Sequence, residues 1–359
     1  MRRMENHAAM ASVAPMSRSE KLPCDHAIPS AAVRGWLLTL AVLVFLVLSV
    51  GGATRLTGSG LSITEWRPIV GILPPLTEAD WRQAFEEYQH IPQYQQVNRG
   101  MPLKAFKVIY WWEWTHRLLA RLLGVVLVAP LVYFLAARQI APSLFAKLAC
   151  LFGVGALQGA AGWYMVYSGL SGRTEVSQYR LALHLGLAFV IFGALLSMAF
   201  PGGRGRARRG AGSATLIVAL VFLQILLGAF VAGLRAGLSH NTWPLMDGRL
   251  IPVGLGVIEP WYKNLFENAM TVQFNHRLAA YLLVLATFWH AWRVVPRTRE
   301  MPIKLGALAL AAAALAQAGL GIFTLLAHVP LPLALAHQAG AAALFALAVW
   351  HLQLLRGGG

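Results

Sequence analysis

Eight long apolar stretches limit what this chain can fold into more than any other feature of its sequence. Each approaches or exceeds the ~20 apolar residues that a helix needs to cross a hydrocarbon layer about 30 Å thick. The stretches are 34–53, 108–136, 144–167, 179–200, 214–234, 268–292, 304–327 and 332–354. Charged residues make up 12% of the chain, about half of the ~25% usual in soluble domains. The sequence therefore predicts an all-α integral membrane protein with eight transmembrane helices, surrounded by membrane lipid.

The placement of basic residues predicts the orientation in the membrane. The net charge of +16 is not spread as a stripe for nucleic acid, and no nucleic-acid partner is expected. Arginines and lysines cluster in the connections 201–213 and 293–304, which favours a cytoplasmic location for both. The long loops 54–107 and 235–267 mix acids with bases and belong outside. We therefore expect a multi-pass protein of the inner (plasma) membrane with both termini in the cytoplasm.

The chain divides around these stretches. Residues 1–33 are polar and predict a disordered cytoplasmic tail without a signal peptide, because no short apolar core with a cleavage site precedes Trp36. Cys24 lies in this tail and Cys150 in an apolar stretch, so a disulfide between them is not expected.

The two halves of the membrane region repeat each other. The residue pairs that match between the halves are Glu113 and Gln273, His116 and His276, Arg117 and Arg277, Gln158 and Gln317, Gly162 and Gly321, and His184 and His337. In the outer loops, Gly60-Leu61-Ser62 matches Gly237-Leu238-Ser239. This order predicts two tandem four-helix bundles, 34–200 and 214–356, related by a parallel internal repeat and joined by the basic cytoplasmic linker 201–213.

Four histidines combine a membrane position with this repeat. Ionisable residues inside a span are costly and indicate function. His116 and His184 both lie early in spans that enter from outside, so they should face each other, and His276 and His337 repeat the arrangement. Two neutral imidazoles suit the two axial positions of haem iron. Histidines that merely bridge helices are the alternative, and zinc is disfavoured because each bundle lacks further ligands.

The remaining histidines of the membrane region carry no such pattern. His240 and His328 lie in or beside outer loops, and His290 and His351 fall near cytoplasmic helix ends. We interpret all four as interfacial or solvated.

One charged position distinguishes the halves. Glu113 precedes His116 by three residues on the same helix face, whereas Gln273 cannot ionise. This difference suggests that the first half performs chemistry and the second carries electrons. A simple ion pair of Glu113 with Arg117 or Lys107 is the alternative.

Arginines and the first outer loop complete the candidate site. Arg117 and Arg277 directly follow their histidines and are candidates to bind haem propionates, with Arg55 as a weaker one. Within loop 54–107, which is long enough to form a lid, the segment from Thr77 to Tyr88 predicts a capped amphipathic helix on the membrane.

These motifs resemble a known family. The segments EWTHR at 113–117, GATRLTGSGLS at 52–62 and NHR at 275–277 are similar to those of haem A synthases of the CtaA type. The resemblance extends from the first span to the last. Some members carry a cysteine pair in the first outer loop, and loop 54–107 has none. The chain is therefore nearer the proteobacterial and mitochondrial branch.

The resemblance implies an activity: oxidation of the C8 methyl group of haem O to a formyl group, which gives haem A for cytochrome c oxidase. His276 and His337 would ligate a permanent haem b, and His116 and His184 would bracket the substrate haem with Glu113 beside the reacting methyl. The implied partners are haem O synthase and an unidentified electron donor or acceptor, and a homo-oligomer is compatible with the resemblance. Two routes stay open: O₂ activation after release of His116 or His184, and electron removal with water supplying the oxygen.

Two other functions compete with this one. A two-haem b-type membrane cytochrome would relay electrons without modifying haem, and a haem transporter or chaperone would do no chemistry. The one-sided carboxylate Glu113 argues against the relay.

Overall fold

The computed structural model describes residues 29–66, 70–170, 174–202 and 208–357. Most of the predicted tail and the central part of the predicted basic linker lie outside these residues. Eleven α-helices are formed in the described part of the chain. They are α1 (Ala31–Leu56), α2 (Glu78–Gln89), α3 (Pro92–Gln96), α4 (Leu103–Ala136), α5 (Pro142–Leu170), α6 (Gln178–Ala199), α7 (Ala211–Gly233), α8 (Asn264–Glu267), α9 (Ala269–Val294), α10 (Met301–Leu326) and α11 (Leu331–Arg356).

Eight of these helices are long and apolar enough to cross a membrane. They are α1, α4, α5, α6, α7, α9, α10 and α11, and they coincide with the eight apolar stretches of the sequence. The prediction of an all-α protein with eight membrane helices is confirmed.

Because the long helices alternate in direction, the long connections after α1 and α7 emerge at the same end, here called the long-loop end. Side-chain caps fix where some helices begin: Ser30 accepts a hydrogen bond from the N–H of Val33 at the start of α1. Asn268 does the same for Met270 and Thr271 at the start of α9. At the long-loop end, Glu175 forms ion pairs with both Arg55 and Arg235 and so connects the ends of α1 and α7.

The two halves pack differently. In the first half, α1 packs against α4 and α6, and α5 packs against α6, while α4 and α5 make little contact with each other. In the second half, α7, α9, α10 and α11 form a closed ring in which each helix packs against two others. The halves meet where α6 packs against both α7 and α11, and where α1 packs against α11. This arrangement agrees with two tandem bundles, although the repeat itself stays a prediction.

The largest buried apolar cluster lies between the halves. Phe345 of α11 contacts Phe189 of α6 with ring centroids 5.4 Å apart, and Phe222 of α7 with centroids 6.4 Å apart. Leu37 and Leu40 of α1 belong to the same cluster and are almost fully buried. Apolar contacts between the halves therefore fix the relative positions of the helices that carry the candidate site.

Helix α2 covers part of the long-loop end. It begins with a capping box, in which Thr77 accepts from the N–H of Asp80 and Asp80 accepts from the N–H of Thr77. These hydrogen bonds hold the pKa of Asp80 below its usual value. Trp81 packs against Tyr110 of α4 with ring centroids 4.9 Å apart. The predicted capped amphipathic helix is confirmed, while its contact with a membrane stays a prediction.

Candidate functional site

Each of the four repeat histidines packs its ring against a glycine of a neighbouring helix. The pairs are Gly51 with His116, Gly162 with His184, Gly228 with His276, and Gly321 with His337. A Cβ atom added to these glycines would lie 2.8, 2.9, 3.2 and 2.8 Å from the corresponding histidine Cε1. Real Cβ atoms rarely approach so closely, so a side chain at these positions would push the rings away.

The histidines are grouped as the sequence predicted. His116 of α4 lies near enough to His184 of α6 for their imidazoles to interact electrostatically. His276 of α9 has the same relation to His337 of α11. The described residues contain no group of three or more histidine, cysteine, aspartate or glutamate side chains suited to a metal ion. The pair His116 and His184 and the pair His276 and His337 each suit the two axial positions of haem iron.

Three of these rings have a nitrogen atom that makes no hydrogen bond within the described structure. In the described structure, Nδ1 of His116, His184 and His276 is buried and has no hydrogen-bond partner. Buried polar atoms without partners are uncommon and need an explanation. Imidazoles that keep one buried nitrogen without a partner and lie against glycines fit a flat, iron-containing group between the helices.

Glutamine amides support three of the four rings. The amide of Gln158 donates to Nε2 of His184 at 3.4 Å, and that of Gln317 donates to Nδ1 of His337 at 3.1 Å. The amide of Gln224 lies 3.3 Å from Nε2 of His276. His116 has no such amide. Like the other three rings, it bonds to the backbone of a neighbouring helix, here at Val47, the residue that matches Gln224 at the offset of the loop repeat.

Glu113 is buried and fully paired. One carboxylate oxygen accepts from Nη2 and Nε of Arg117 at 2.6 and 3.1 Å. The other accepts from the hydroxyl of Ser62 and the backbone N–H of Ile63, both at 2.8 Å. The side chain is 3% exposed. Of the two alternative ion pairs considered for Glu113, the one with Arg117 is formed, whereas Lys107 pairs with Glu78.

The second half repeats this contact pattern without the charge. Arg277 donates through Nη2 to Gln273 Oε1 at 3.2 Å and to the carbonyl of His240 at 2.9 Å. Arg117 makes the matching bond to the carbonyl of Ile63, also at 2.9 Å. In both halves, an arginine one turn after the Glu113 or Gln273 position holds the first residues of the long loop.

The two arginines differ in what they leave unpaired. Arg117 donates to Glu113, Ile63 and Glu65. Arg277 keeps Nε and Nη1 buried without a partner in the described structure. Of the predicted propionate contacts, Arg277 is therefore the best placed to bind an anion. Arg55 is mostly engaged, because its Nη2 donates to Glu175 at 2.9 Å and to the carbonyl of Ala232 at 3.1 Å.

Comparison with known proteins decides the family. Residues 34–349 match the COX15-CtaA family of cytochrome oxidase assembly proteins. The chain belongs to this family.

Similar members of the COX15-CtaA family come from several bacteria. The chain is 53% identical over 328 residues to the heme A synthase of Parvibaculum lavamentivorans, covering 90% of this chain and 94% of that protein. It is 52% identical over 329 residues to the heme A synthase of Rhodopseudomonas palustris strain BisB5, with 90% and 91% coverage. The heme A synthase of Nitrosospira multiformis is 49% identical over 325 residues, with 88% and 91% coverage.

A third pair of histidines in this COX15-CtaA member corrects one expectation. His290 and His351, expected to be interfacial or solvated, are completely buried. Their Nε2 atoms are 2.9 Å apart, and Nδ1 of His290 lies 2.7 Å from the hydroxyl of Ser213. The prediction was wrong because α7 and α10 cover the ends of α9 and α11. The signal was present in the sequence: each follows a repeat histidine by 14 residues, which returns nearly to the same helix face.

The two histidines of the outer loops are more exposed than His290 and His351, which is closer to the expectation that they are interfacial or solvated. His240 is partly exposed and its Nδ1 lies 2.5 Å from Asp247 Oδ2, while its carbonyl accepts from Arg277. His328 is exposed. Sequence reasoning overlooked Gly51, Gly228 and Gln224. The two glycines are separated by the offset of the outer-loop repeat, which would have indicated them.

Proposed function

We propose that this chain is a haem A synthase, a membrane oxidoreductase that converts the C8 methyl group of haem O to a formyl group. The observation that carries the proposal is the inequality of two otherwise matched histidine pairs, since only the first adjoins a buried carboxylate. Membership in the COX15-CtaA family, with relatives of about 50% identity named heme A synthase, supports the same activity.

We infer that haem O binds between His116 and His184 in the bundle 34–200. The partnerless Nδ1 atoms of both rings and the glycines against them support this assignment. The loose packing between α4 and α5 leaves this half less enclosed than the other. Exchange of substrate and product is easier in such a site.

A permanent haem b is assigned to His276 and His337 in the bundle 214–356. When bound, it supplies a one-electron redox centre. Gln224 and Gln317 hold the two rings, and the closed helix ring surrounds them. Arg277 presents two unpaired donor groups for a propionate. These contacts favour lasting retention of haem b in this half.

Glu113 acts through its position and charge. Both of its oxygens already accept two hydrogen bonds, so it is not arranged as a free base. A fixed carboxylate beside the substrate stabilises positive charge that develops as the methyl group is oxidised. Ser62, Ile63 and Arg117 hold it in place in advance, so no reorganisation is needed during the reaction.

The proposal includes a cellular setting. The basic connection 293–304 favours an inner-membrane protein with cytoplasmic termini. Haem O synthase must deliver the substrate, and an electron carrier must accept or supply the electrons of the oxidation.

Haem extraction tests the activity. The full chain is co-expressed with haem O synthase in cells that lack a haem A synthase, and extracted haems are separated and identified. We expect haem A, and a pyridine haemochrome typical of a formyl haem. Haem O and haem B without haem A in a preparation that contains folded protein would contradict the proposal and favour a two-haem b-type cytochrome.

A further inference from the structure

The side-chain amide of Gln338 reaches from α11 to the backbone of α1. Its Nε2 donates to the carbonyl of Leu48 at 2.5 Å. This carbonyl points along the helix toward Gly52, four residues later, and the amide lies where a side chain of Gly52 would be. A Cβ atom at Gly52 would overlap its neighbour more severely than a Cβ at any other glycine of the described residues. Glycine at position 52, the first residue of the segment that resembles haem A synthases, is therefore needed for this contact.

The same turn of α1 holds His116. The ring of His116 bonds to the backbone of Val47 and packs against Gly51. Val47 and Gly51 are one helical turn apart, and each directly precedes one of the two residues that contact Gln338. Because Nδ1 of His116 has no hydrogen-bond partner among the described residues, the ring depends on this turn for its orientation. The position of α1 between α4 and α11 thus decides where the ring of His116 lies.

Gln338 directly follows His337, yet the two side chains are held separately. The amide of Gln317 donates to the carbonyl of His337 at 2.6 Å and lies 3.1 Å from Nδ1 of the same residue. The amide of Gln338 bonds instead to α1. Loss of the Gln338 bond should therefore disturb α1 and leave His337 in place.

The matching contact between α6 and α7 is apolar. Its residues occupy the same places in the repeat, namely Leu185 for Gln338, Ile225 for Leu48 and Ala229 for Gly52. Leu185 cannot donate a hydrogen bond, and Ala229 carries the Cβ that an amide at this place would exclude. His276 is supported differently, by the amide of Gln224 on α7 itself. The first histidine pair therefore has a crossing amide where the second has an amide on the neighbouring helix.

We propose that Gln338 is a positioning residue for His116. Its hydrogen bond fixes the turn 47–52 of α1, and through this turn it limits how readily His116 releases the iron of the substrate haem. An interhelical hydrogen bond has a defined length and direction, whereas an apolar contact such as that of Leu185 tolerates small shifts of one helix along another. The identity of the haem rests on the proposed function, and the contacts of Gln338 do not.

Gln338→Met tests this role, because methionine has nearly the length and shape of glutamine and no donor group. Gly52→Ala combined with Gln338→Leu gives the contact the kind of apolar residues found at the matching one, and so keeps it packed. Leu185→Met is the matched control. The full chain is purified with its haems and reduced. Binding of carbon monoxide, which needs a free axial position on the iron, is then followed together with the low-spin signal of haem b.

We expect carbon monoxide to bind the haem between His116 and His184 about three- to tenfold faster in Gln338→Met and in the double variant than in the wild type. This is the scale of one interhelical hydrogen bond in a membrane protein. Haem O should dissociate faster by a similar factor. The low-spin signal of haem b should not change, and Leu185→Met should match the wild type in every measurement.

Three results would overturn the inference. Equal rates in Gln338→Met and the wild type would show that α1 holds His116 without Gln338. An equal effect of Leu185→Met would assign the change to general packing. Carbon monoxide binding to haem b would show that Gln338 acts on His337 instead. None of these measurements needs conversion of the haem, so a wild type that binds haem in the first half but makes no haem A would refute the proposed function alone.

Discussion

The Glu113 and Gln273 sites have nearly the same contacts and differ in charge. In both, an arginine one turn later bonds to this side chain and to a loop carbonyl. In the first half, the carboxylate neutralises Arg117. In the second, the amide of Gln273 carries no charge that could neutralise Arg277, and two buried donor groups of Arg277 have no hydrogen-bond partner among the described residues. A single change of residue type therefore separates a site with a fixed carboxylate–arginine ion pair from one whose arginine is proposed to hold a propionate.

Packing strengthens the same contrast. The second half is a closed ring of four helices, and both of its histidines have a glutamine neighbour. The first half has loose packing between α4 and α5, and His116 has only the backbone of Val47. Both features favour exchange in the first half and retention in the second. His116 is accordingly the ligand we expect to release the substrate iron more readily than His184.

The largest effect is expected from removing a ligand of the retained haem. His276→Ala should abolish haem b binding and, with it, haem A formation, because one imidazole alone cannot provide both axial ligands. The reduced b-type spectrum and the haem B content per chain measure the effect. His328→Ala, at an exposed histidine, is the control and should change neither. A full b-type spectrum in His276→Ala would refute the assignment of the pair.

Glu113→Gln removes the carboxylate charge from the first site and gives it the side chain that Gln273 provides in the second, with nearly the same shape. Haem A formation should fall about 100-fold or more, as is typical when one preorganised electrostatic group is lost. Haem b content should not change. The matched variant Gln273→Glu should lower the midpoint potential of haem b, because a nearby negative charge favours the oxidised iron. Undiminished haem A output from Glu113→Gln would remove Glu113 from the mechanism.

A smaller change is expected from giving His116 the support that His276 has. Val47→Gln introduces the matching amide on α1, which should slow release of the iron by His116. We expect haem O to be retained in a larger fraction of chains and haem A formation to fall several-fold. Gln224→Val is the reciprocal variant and should weaken haem b retention. If Val47→Gln turns over as fast as the wild type, support of His116 does not control exchange.

The smallest effect concerns helix α2, which covers only the first half. The pKa of Asp80 is lowered by its hydrogen bonds to Thr77, so the cap stabilises α2 above the unfolded pKa of about 3.9. This stabilisation is lost as the pH falls through the lower, folded value. The protection factors of the α2 amides, which are corrected for the pH dependence of intrinsic exchange, should therefore be constant between about pH 5 and 8 and lower in Asp80→Asn. Equal exchange in both proteins at pH 7 would contradict a role for the cap.

Much of the architecture could be predicted because the length of each apolar stretch and the spacing of the repeated residues can be read directly from the sequence. The eight helices and the proximity within each histidine pair followed from these patterns. The surroundings of Glu113 did not follow, because Ser62 and Ile63 reach it from a loop about fifty residues away. The burial of His290 and His351 depends on how α7 and α10 cover the ends of other helices, and in the sequence only their 14-residue spacing from the repeat histidines indicated it. Contacts between distant segments were the part that sequence patterns could not supply.

A pulse-chase measurement of how long each haem stays bound most directly tests the contrast between an exchanging first site and a retaining second site. Cells that express the full chain with haem O synthase receive an isotopically labelled haem precursor and then an unlabelled one, and the haems of the purified protein are analysed over time. We predict that labelled haem O and haem A leave the protein rapidly, while labelled haem B stays at about one per chain. Loss of label from haem B at the same rate as from haem O and haem A would contradict the division into an exchanging and a retained site.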